Sequence, residues 1–381
     1  MPAQDDSAGN LLRAHLLLRR VHAAQEDEGM DTAERNARAA SAERAILDRY
    51  LGGFPGVSWG RSAWPPIPLR RRGGPARWHY WWSAHLLDAA LDAAAHRPSP
   101  SRRRRLRPLA RGIRLRNGGT LSRTFYDDLA WMGLALEHGG GHRRATERIA
   151  AQLEAAIDPA VGAVPWEVGN PFFNAPANGP AAILFARTGR RDAAARLSDW
   201  MDETLRDPSS GLIIDGVVVE HGVETRRATE LYTYCQGVAL GAAAALAADD
   251  ARFASRAASL VGAIAAWTGP SLLLPGAGGG DRGLFAGIAC RYLAEAASAL
   301  HARAQAGEPD AAPLERAAAS ARSLVIANAD ALWTGRATID GLPVFSADAK
   351  TPADPAPDAP ERDLSVQLGA WLTLEAAVSL G

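Results

Sequence analysis

The stretch APANGPAAILFARTGRRDAAARLSDWMDETLR, residues 175–206, shows the pattern that decides the fold. Its apolar residues recur at the i, i+3, i+4 and i+7 spacing of an amphipathic helix in two segments, near 175–188 and 190–206. A short turn, RTGRRD (187–192), separates the two segments. The stretch therefore predicts two helices joined by a short connection.

The same spacing continues along the chain, and helices arrive in pairs about every 50–60 residues. Twelve such helices in one domain predict an all-α fold, a single-domain (α/α)6 barrel with two concentric rings. A helical solenoid is the competing architecture, but no residue motif recurs as solenoids require. Eleven helices are predicted directly, a twelfth is possible at 363–379, and residues 8–24 could add a leading helix. The eleven lie near 31–51, 78–96, 101–116, 123–138, 141–156, 175–188, 190–206, 229–248, 250–267, 282–303 and 311–332.

No linker divides the chain, so we expect an N-terminal extension or short helix over 1–30 and one domain over 31–381. The connections at 52–69, 159–173 and 273–283 are long and rich in Gly, Pro and Trp, which is typical of loops that carry function. Residues 211–220 give the one good strand or hairpin signal. The Pro-rich stretch 348–360 is expected to be an exposed loop.

Composition excludes several classes of protein. Apolar residues make up 47% of the 381 residues and charged residues 22%, which is the globular range. Lys plus Arg and Asp plus Glu are 42 each, so nothing general favours a nucleic-acid partner. The two cysteines, Cys235 and Cys290, exclude a disulfide scaffold, and two buried free thiols are favoured over one bridge.

The sequence also gives little sign of a membrane span or a metal. No apolar run reaches the roughly 18 residues that cross a bilayer, and the N-terminal stretch has no uninterrupted signal-peptide core. We therefore expect a soluble, cytoplasmic protein, with a monomer as the default state. The nine histidines form no H-E-x-x-H or Cys/His cluster, so no metal or other cofactor is expected.

The strongest chemical feature is a pair of adjacent carboxylates, Asp127 and Asp128, at a predicted helix start. Such a pair can simply cap a helix and favour its dipole. Here Phe125, Tyr126 and Trp131 flank it, which predicts a partly buried pair in which repulsion drives one carboxyl group toward its protonated form. That is the condition for a nucleophile beside a general acid. Adjacent carboxylates can reach the ~5–5.5 Å separation of retaining glycosidases, and are poorly placed for the ~6.5–9.5 Å of inverting ones.

A second feature is the 11 tryptophans. In WHYWWSAH (78–85), helical geometry places Trp78, Trp81, Trp82 and His85 on one side. These rings could form an aromatic core between helix layers, or flat faces on which sugar C–H groups pack. Tryptophans beside paired carboxylates favour the second interpretation.

Three further motifs have two interpretations each. Asn178 and Gln236, at two apolar helix starts, could hydrogen-bond sugar hydroxyls or could cap helices. GGGDRG (278–283) matches G-x-G-x-x-G, but without a βαβ unit we interpret it as a loop that presents Asp281 above the next helix. The eight arginines of SRRRRLRPLARGIRLR (101–116) could bind an anion, although the solvated face of an outer helix is favoured.

These features together resemble glycoside hydrolase family 76, the endo-α-1,6-mannanases, from about residue 31 to the C-terminus. The most specific match is FYDDLAW (125–131), where the family carries its catalytic Asp-Asp pair. Six further segments match in order: WHYWWSAHLLDA (78–89), NAPANGPAAILFARTG (174–189), TYCQGVALGA (233–242), GGGDRGLFAGIACRYLAE (278–295), NADALW (328–333) and DLSVQL (363–368).

The resemblance implies an (α/α)6 barrel that cleaves α-1,6-mannosidic bonds with retention, acting on α-mannan or a manno-oligosaccharide without a cofactor. It implies that Asp127 is the nucleophile and Asp128 the general acid/base. It also implies that the cleft is lined by Trp81, His85, Tyr126, Trp131, Asn178, Tyr234, Gln236 and Asp281. Three alternatives remain at this stage: a transglycosylase, another sugar-active enzyme on the same barrel such as an epimerase or unsaturated-uronyl hydrolase, and a glycan-binding protein.

Overall fold

The computed structural model describes residues 32–66, 78–276, 278–306 and 311–381. The predicted extension over 1–30 and the possible helix over 8–24 lie outside these residues. The described part contains twelve α-helices, which are the eleven predicted from residue 31 onward and the possible twelfth. Their bounds agree with the prediction to within about one helical turn, except that the helix predicted over 190–206 ends at Trp200 and continues as a π-helical turn. The helices are α1 (32–50), α2 (Tyr80–His96), α3 (Pro100–Arg116), α4 (Tyr126–His138), α5 (Arg143–Ala155), α6 (Ala175–Arg187), α7 (Arg191–Trp200), α8 (Thr233–Leu246), α9 (Ala251–Thr268), α10 (Phe285–Gln305), α11 (Ala311–Thr334) and α12 (Leu364–Ser379).

Six of these helices close into an inner ring. Along the ring α2 packs on α4, α4 on α6, α6 on α8, α8 on α10, α10 on α12, and α12 returns to α2. Since each inner helix is followed by an outer helix that runs back, the N-terminal ends of all six inner helices meet at one end of the barrel. This arrangement is the predicted (α/α)6 barrel.

The outer ring covers the inner one. Helices α3, α5, α9 and α11 each pack on the inner helix that precedes them, and so does α7, which continues into a π-helical turn, Met201–Leu205. Helix α1 fills the sixth outer position, because Glu43 accepts a 2.7 Å hydrogen bond from Arg102 of α3 and Arg38 donates one of 2.6 Å to Asp330 of α11.

The two rings differ in how their residues are buried. Every residue of α12 from Leu364 to Val378 is buried, which explains why the sequence of that segment is almost uniformly apolar. Helix α5 buries only Thr146, Ile149, Ala150 and Leu153, the one-sided stripe of a surface helix. Inner helices approach closely where glycines face each other: a Cβ atom on Gly287 would lie 2.3 Å from the carbonyl oxygen of Gly369.

The strands are short, and all of them lie in the loops that connect the helices. The predicted strand over 211–220 is only partly correct, because the strand itself is Gly216–Glu220. It is the middle strand of a three-stranded antiparallel sheet. Two hairpins that the sequence did not predict follow α1 and α11. In chain order the strands are β1 (Leu51–Phe54), β2 (Val57–Gly60), β3 (Phe172–Asn174), β4 (Gly216–Glu220), β5 (Val223–Ala228), β6 (Ala337–Ile339) and β7 (Leu342–Val344).

Cys235 and Cys290 are both buried and unbridged, as expected. None of the helices that the structure describes is long and apolar enough to span a membrane.

Candidate active site

The carboxylate pair lies at the barrel end where the inner helices begin. Phe125 is extended, and the amide of Tyr126 donates to the carbonyl oxygen of Trp166 at 2.9 Å, so α4 begins at Tyr126. Asp127 and Asp128 therefore occupy the first turn of α4 and neither is its N-cap. The positive end of the helix dipole favours negative charge here.

Asp127 is held by two N–H donors. Its Oδ1 atom accepts from the backbone amide of Asp128 at 2.7 Å, and its Oδ2 atom accepts from Nε1 of Trp166 at 3.0 Å. Trp166 lies in the loop over 159–173, one of the three connections that composition marked as functional. The ring of Trp166 packs against Phe125 and Phe172, which fixes the direction of its N–H group.

Asp128 is more deeply buried, with 8% of the residue exposed. Its Oδ2 atom accepts a 3.1 Å hydrogen bond from Nε of Arg123. The guanidinium group of Arg123 also donates to Oδ1 of Asn117 and lies over the ring of Tyr80. Arg123 is thus held in place from three sides beside Asp128.

Burial raises the pKa of both carboxyl groups. The pKa of Asp127 rises to about 7 because of burial and the charge of Asp128, against the lowering effect of its N–H donors. The pKa of Asp128 rises to about 6 because of burial; Arg123 lowers it and the carboxylate of Asp281 raises it. Near neutral pH the pair therefore holds about one proton between two carboxyl groups.

Asp281 lies on the rim beside this pair, as the resemblance implied. Its Oδ1 atom accepts from Nε1 of Trp81 at 3.1 Å and from Nε1 of Trp82 at 3.0 Å. The side chain remains 61% exposed, so it is open to a ligand. Asp281 belongs to a short 3-10 helix, Gly280–Leu284, which confirms GGGDRG as the loop that presents it above α10.

Tyr234 forms another part of the wall near Asp127. Its ring stacks on Phe285 with centroids 3.8 Å apart. Burial raises the pKa of its hydroxyl well above the usual range, and the nearby carboxyl groups of Asp215 and Asp127 add to the shift. The hydroxyl is therefore a neutral donor that can serve a sugar oxygen or a carboxylate.

Asp215 is a further acidic group at this end of the barrel, beside Tyr234 and Cys235, and sequence analysis missed it. It accepts a hydrogen bond from Sγ of Cys235 at 3.7 Å. Burial raises its pKa to about 6, and Glu230 adds to the shift. Trp166 and Arg123 were also missed as functional residues, although both lie in segments that the sequence singled out.

Trp131 and His85 lie below the carboxylate pair and away from solvent. Trp131 is 4% exposed and packs on His85 with ring centroids 4.5 Å apart. His85 is 3% exposed, and its burial lowers its pKa to about 3, so the imidazole is neutral. Its Nε2 atom is buried without a hydrogen bond to any described residue. Both rings therefore form a floor under the site, whereas Tyr126 and Trp81 are partly exposed around it.

The contacts of Asn178 give it a structural role instead of the substrate contact that the resemblance implied. The residue is 0% exposed. Its Nδ2 atom donates to the carbonyl oxygens of Val164 and Asn174, and its Oδ1 atom accepts from the amide of Val164. It therefore holds the loop that carries Trp166, and acts on the site only through that loop.

Gln236 makes the same kind of contact to the next loop and is likewise 0% exposed. Its Oε1 atom accepts from the amide of Ile213, and its Nε2 atom donates to the carbonyl oxygens of Ile213 and Tyr232. This fixes the segment that leads to Asp215. Asn328 and Gln367, which lie in two of the matching segments, hold the loops at Leu272–Leu274 and at Phe345 in the same manner.

A charged network fills the opposite end of the inner ring. Arg291 contacts Asp88 and Asp92, and His138 donates to or accepts from Asp88 at 2.7 Å. These groups line or adjoin a cavity of about 500 Å³. Because their charges are paired with one another, we assign them to the stability of the barrel. Within the described residues, no group of three or more His, Cys, Asp or Glu side chains is arranged to hold a metal ion.

Comparison with known proteins identifies the family. Residues 145–343, just over half of the chain, match the model of glycosyl hydrolase family 76. The chain belongs to this family. It is a glycoside hydrolase on an (α/α)6 barrel. The matched range begins after Asp127 and Asp128, so their roles have to be argued from the site itself.

Solved structures share the fold of this family 76 enzyme. The α-1,6-mannanase of family 76 from Salegentibacter sp. HEL1_6 is 23% identical, with a TM-score of 0.76, over 91% of this chain and 100% of that chain. An inactive variant of it, with two consecutive aspartates replaced, was solved with α-1,6-mannotriose; it is 22% identical with a TM-score of 0.76, and covers 91% of this chain and 100% of that chain. Dfg5 from Chaetomium thermophilum, in complex with glucosamine, is 18% identical with a TM-score of 0.69. The match covers 91% of this chain and 90% of that chain. No curated protein matches the chain significantly.

Proposed function

We propose that this family 76 enzyme cleaves α-1,6-mannosidic linkages with retention of configuration, and that Asp127 is its nucleophile and Asp128 its general acid/base. The observation that carries the proposal is the carboxyl pair itself: adjacent, buried, and holding about one proton near neutral pH. Support for the substrate comes from the similar structure from Salegentibacter, described as an α-1,6-mannanase.

The hydrogen bonds of the two carboxyl groups support this division of roles. Both oxygens of Asp127 accept N–H donors, which bind a carboxylate more strongly than a carboxylic acid. Oδ1 of Asp128 receives no N–H donor from any described residue, so it can carry the proton. In the free protein the pKa of Asp127 is the higher of the two, and we place the proton on Asp128 in the reactive complex because only that carboxyl group has an oxygen free to hold it.

The reaction then takes two steps. In the first, a carboxylate oxygen of Asp127 forms a bond to the anomeric carbon while the bond to the leaving oxygen breaks, and Asp128 gives its proton to that oxygen. In the second, Asp128 takes a proton from water, whose oxygen displaces Asp127 from the anomeric carbon. Two inversions restore the original α configuration.

The surroundings fit a sugar in this position. The partly exposed ring of Trp81 offers a flat face to sugar C–H groups, and the exposed carboxylate of Asp281 can accept from hydroxyl groups. The hydroxyl of Tyr234 supplies a further polar group near Asp127, and the carboxyl group of Asp215 lies beside Tyr234. An epimerase would need a pair of histidines as acid and base, and the neutral, buried His85 does not suit that task.

The experiment is product analysis on linear α-1,6-mannan and on α-1,6-mannotetraose. We expect the wild-type protein to release short mannosides and Asp127→Asn to release none. Cleavage by the variant at the wild-type rate would contradict the assignment of the nucleophile. An inactive wild type would contradict the linkage that we propose.

A second substrate separates the two roles. A dinitrophenyl α-1,6-mannotrioside has a leaving group that needs no proton, so Asp128→Asn should still release dinitrophenolate in a first turnover. Asp127→Asn should release none, because no nucleophile remains. The reverse result would exchange the two assignments.

A further inference from the structure

A strongly basic surface lies beside the cleft and takes no part in the proposed chemistry. Between Asp92 and Asp127 the chain contains no acidic residue. The same interval contains ten arginines: Arg97, Arg102, Arg103, Arg104, Arg105, Arg107, Arg111, Arg114, Arg116 and Arg123. Most of them belong to the outer helix α3.

Some of these arginines have structural partners. Arg102 and Arg105 pair with Glu43, and Arg114 donates to the carbonyl oxygen of Gly119. Four others have side chains that form no ion pair or hydrogen bond with any residue the structure describes: Arg103, Arg104, Arg107 and Arg111. We call these four the free arginines of α3. They can meet an external anion without breaking a contact within the described part of the chain.

A groove concentrates this charge. Arg107, Arg111 and Arg114 of α3 face Arg148 of α5 across a cavity of about 580 Å³, whose floor is helix α4. None of the described residues that line it is an aspartate or a glutamate. Neighbouring cations without a counter-ion repel one another, so a bound anion would be favoured by all four.

Exposed apolar side chains lie next to the free arginines. Among the described residues only four large apolar side chains are exposed, and two of them, Phe54 and Leu115, are each 55% exposed and adjoin α3. Leu115 follows Arg111 by four residues and so lies on the same helical face. The turn of the β1–β2 hairpin, beside Phe54, lies against that arginine too: a Cβ atom on Gly56 would be 3.7 Å from Nη1 of Arg111.

We propose that this surface docks on an anionic lipid bilayer. Arginines near an anionic leaflet gain electrostatic attraction, and apolar side chains beside them gain by entering the interface. A nucleic acid would satisfy the arginines but would leave Phe54 and Leu115 exposed. A free small anion would likewise fill only the groove. A bilayer is the partner that contacts both the arginines and the exposed apolar side chains of this surface.

Docking would also orient the cleft. The C-terminal end of α3 lies at the barrel end where the inner helices begin, because α3 runs antiparallel to α2. There the guanidinium group of Arg116 lies over the rings of Trp59 and Trp78, and Trp78 directly precedes the helix that carries Trp81. The surface therefore adjoins the cleft mouth. This placement suits a mannan whose other end is attached to a membrane lipid, an inference that rests on the proposed function.

The test is co-sedimentation with phosphatidylcholine vesicles, with and without phosphatidylglycerol. We expect binding only to the anionic vesicles, weakened by salt. The triple variant Arg104→Glu, Arg107→Glu, Arg111→Glu should bind at least about 100-fold more weakly, since each arginine near the surface accounts for about fivefold. The matched control reverses three exposed arginines elsewhere, Arg44, Arg226 and Arg316, and should bind close to the wild type.

A second variant tests the apolar half. Phe54→Ser with Leu115→Ser should weaken vesicle binding about tenfold or more while leaving its salt dependence unchanged. Thermal melting confirms folding, and Arg→Gln versions replace the Glu variants if those unfold. Wild-type binding by the triple variant, equal loss in the matched control, or no wild-type binding would overturn the proposal. Unchanged binding by the Ser variant would overturn it in favour of a plain anion site.

Vesicle binding does not depend on catalysis. A protein that binds anionic vesicles but leaves α-1,6-mannotetraose intact would contradict the proposed function and retain the docking surface. A protein that cleaves the soluble tetraose but does not bind vesicles would contradict the docking surface and leave the proposed function standing.

Discussion

The Nε atom of Arg123 lies 3.1 Å from Oδ2 of Asp128, so a fixed positive charge touches the proposed acid/base. Burial raises the pKa of Asp128, Arg123 lowers it, and Asp281 raises it further from the rim. The proposed acid/base is thus balanced between two charges of opposite sign. Removing Arg123 should therefore raise the pKa of Asp128, and removing the charge of Asp281 should lower it.

The first prediction concerns the pH profile. With pKa values of about 6 and about 7, the pair holds one proton in a narrow range, so kcat/KM should be bell-shaped with limbs near those values. Arg123→Gln should move the profile to higher pH, because the cation that favours ionised Asp128 is gone. Asp281→Asn should move it to lower pH by a smaller amount, since Asp281 is largely exposed. Shifts in the same direction would contradict this account.

The second prediction concerns Trp166. Trp166→Phe removes the N–H group that donates to Oδ2 of Asp127 and keeps an aromatic ring against Phe125 and Phe172. A hydrogen bond to a charged group is worth about 1.5–3 kcal/mol, so kcat should fall roughly 10- to 100-fold with little change in melting temperature. Trp267→Phe, on outer helix α9, is the matched control and should keep full activity. Equal kcat in the two variants would remove Trp166 from the site.

The third prediction concerns stability and pH. The folded pKa of Asp127 lies above the unfolded value of about 4, so this group favours folding below about pH 4 and loses that contribution as pH rises through about 7. Asp127→Asn removes this loss of folding stability, because asparagine does not ionise. The variant should therefore gain stability over the wild type, by about 2–4 kcal/mol, between about pH 4.5 and about pH 8. Urea unfolding at both pH values measures the free energy of unfolding of each protein. The same difference between variant and wild type at both pH values would show that the pKa of Asp127 is not raised.

The fourth prediction concerns the loop contacts. Gln236→Ala leaves the buried amide and carbonyl groups of Ile213 without partners, which should destabilise the protein by about 2–5 kcal/mol. Gln152→Ala, at an exposed amide on α5, should change stability by less than about 0.5 kcal/mol. If both variants unfold at the same urea concentration, Gln236 does not hold its loop.

The sequence predicted the helices well because their period is a local property. The inner helices are buried around most of their circumference and the outer helices on one side, and apolar spacing of both kinds is visible without tertiary information. The hairpin at 337–344 was missed although Asp340-Gly341 is a common two-residue turn signal. The hairpin at 51–60 was harder to predict, because Gly52 and Gly53 in its first strand make that segment resemble a loop.

The active site was predictable only in part. Asp127, Asp128 and Asp281 stand in motifs that present carboxylates at helix starts, and the structure brings them together. Asn178 and Gln236 share the polar character of a sugar-binding residue, and only their burial shows that they bind loops. Arg123 reaches Asp128, and Asp215 reaches Tyr234, through loop geometry, which no local pattern encodes.

The most direct test of the central claim is a proton NMR time course of α-1,6-mannotetraose cleavage by the wild-type protein. A covalent bond to Asp127 followed by attack of water predicts that the α anomer of the new reducing end appears first and that the β anomer grows in by mutarotation. If the β anomer appears first, water attacks directly, and the adjacent pair does not act as nucleophile and acid/base.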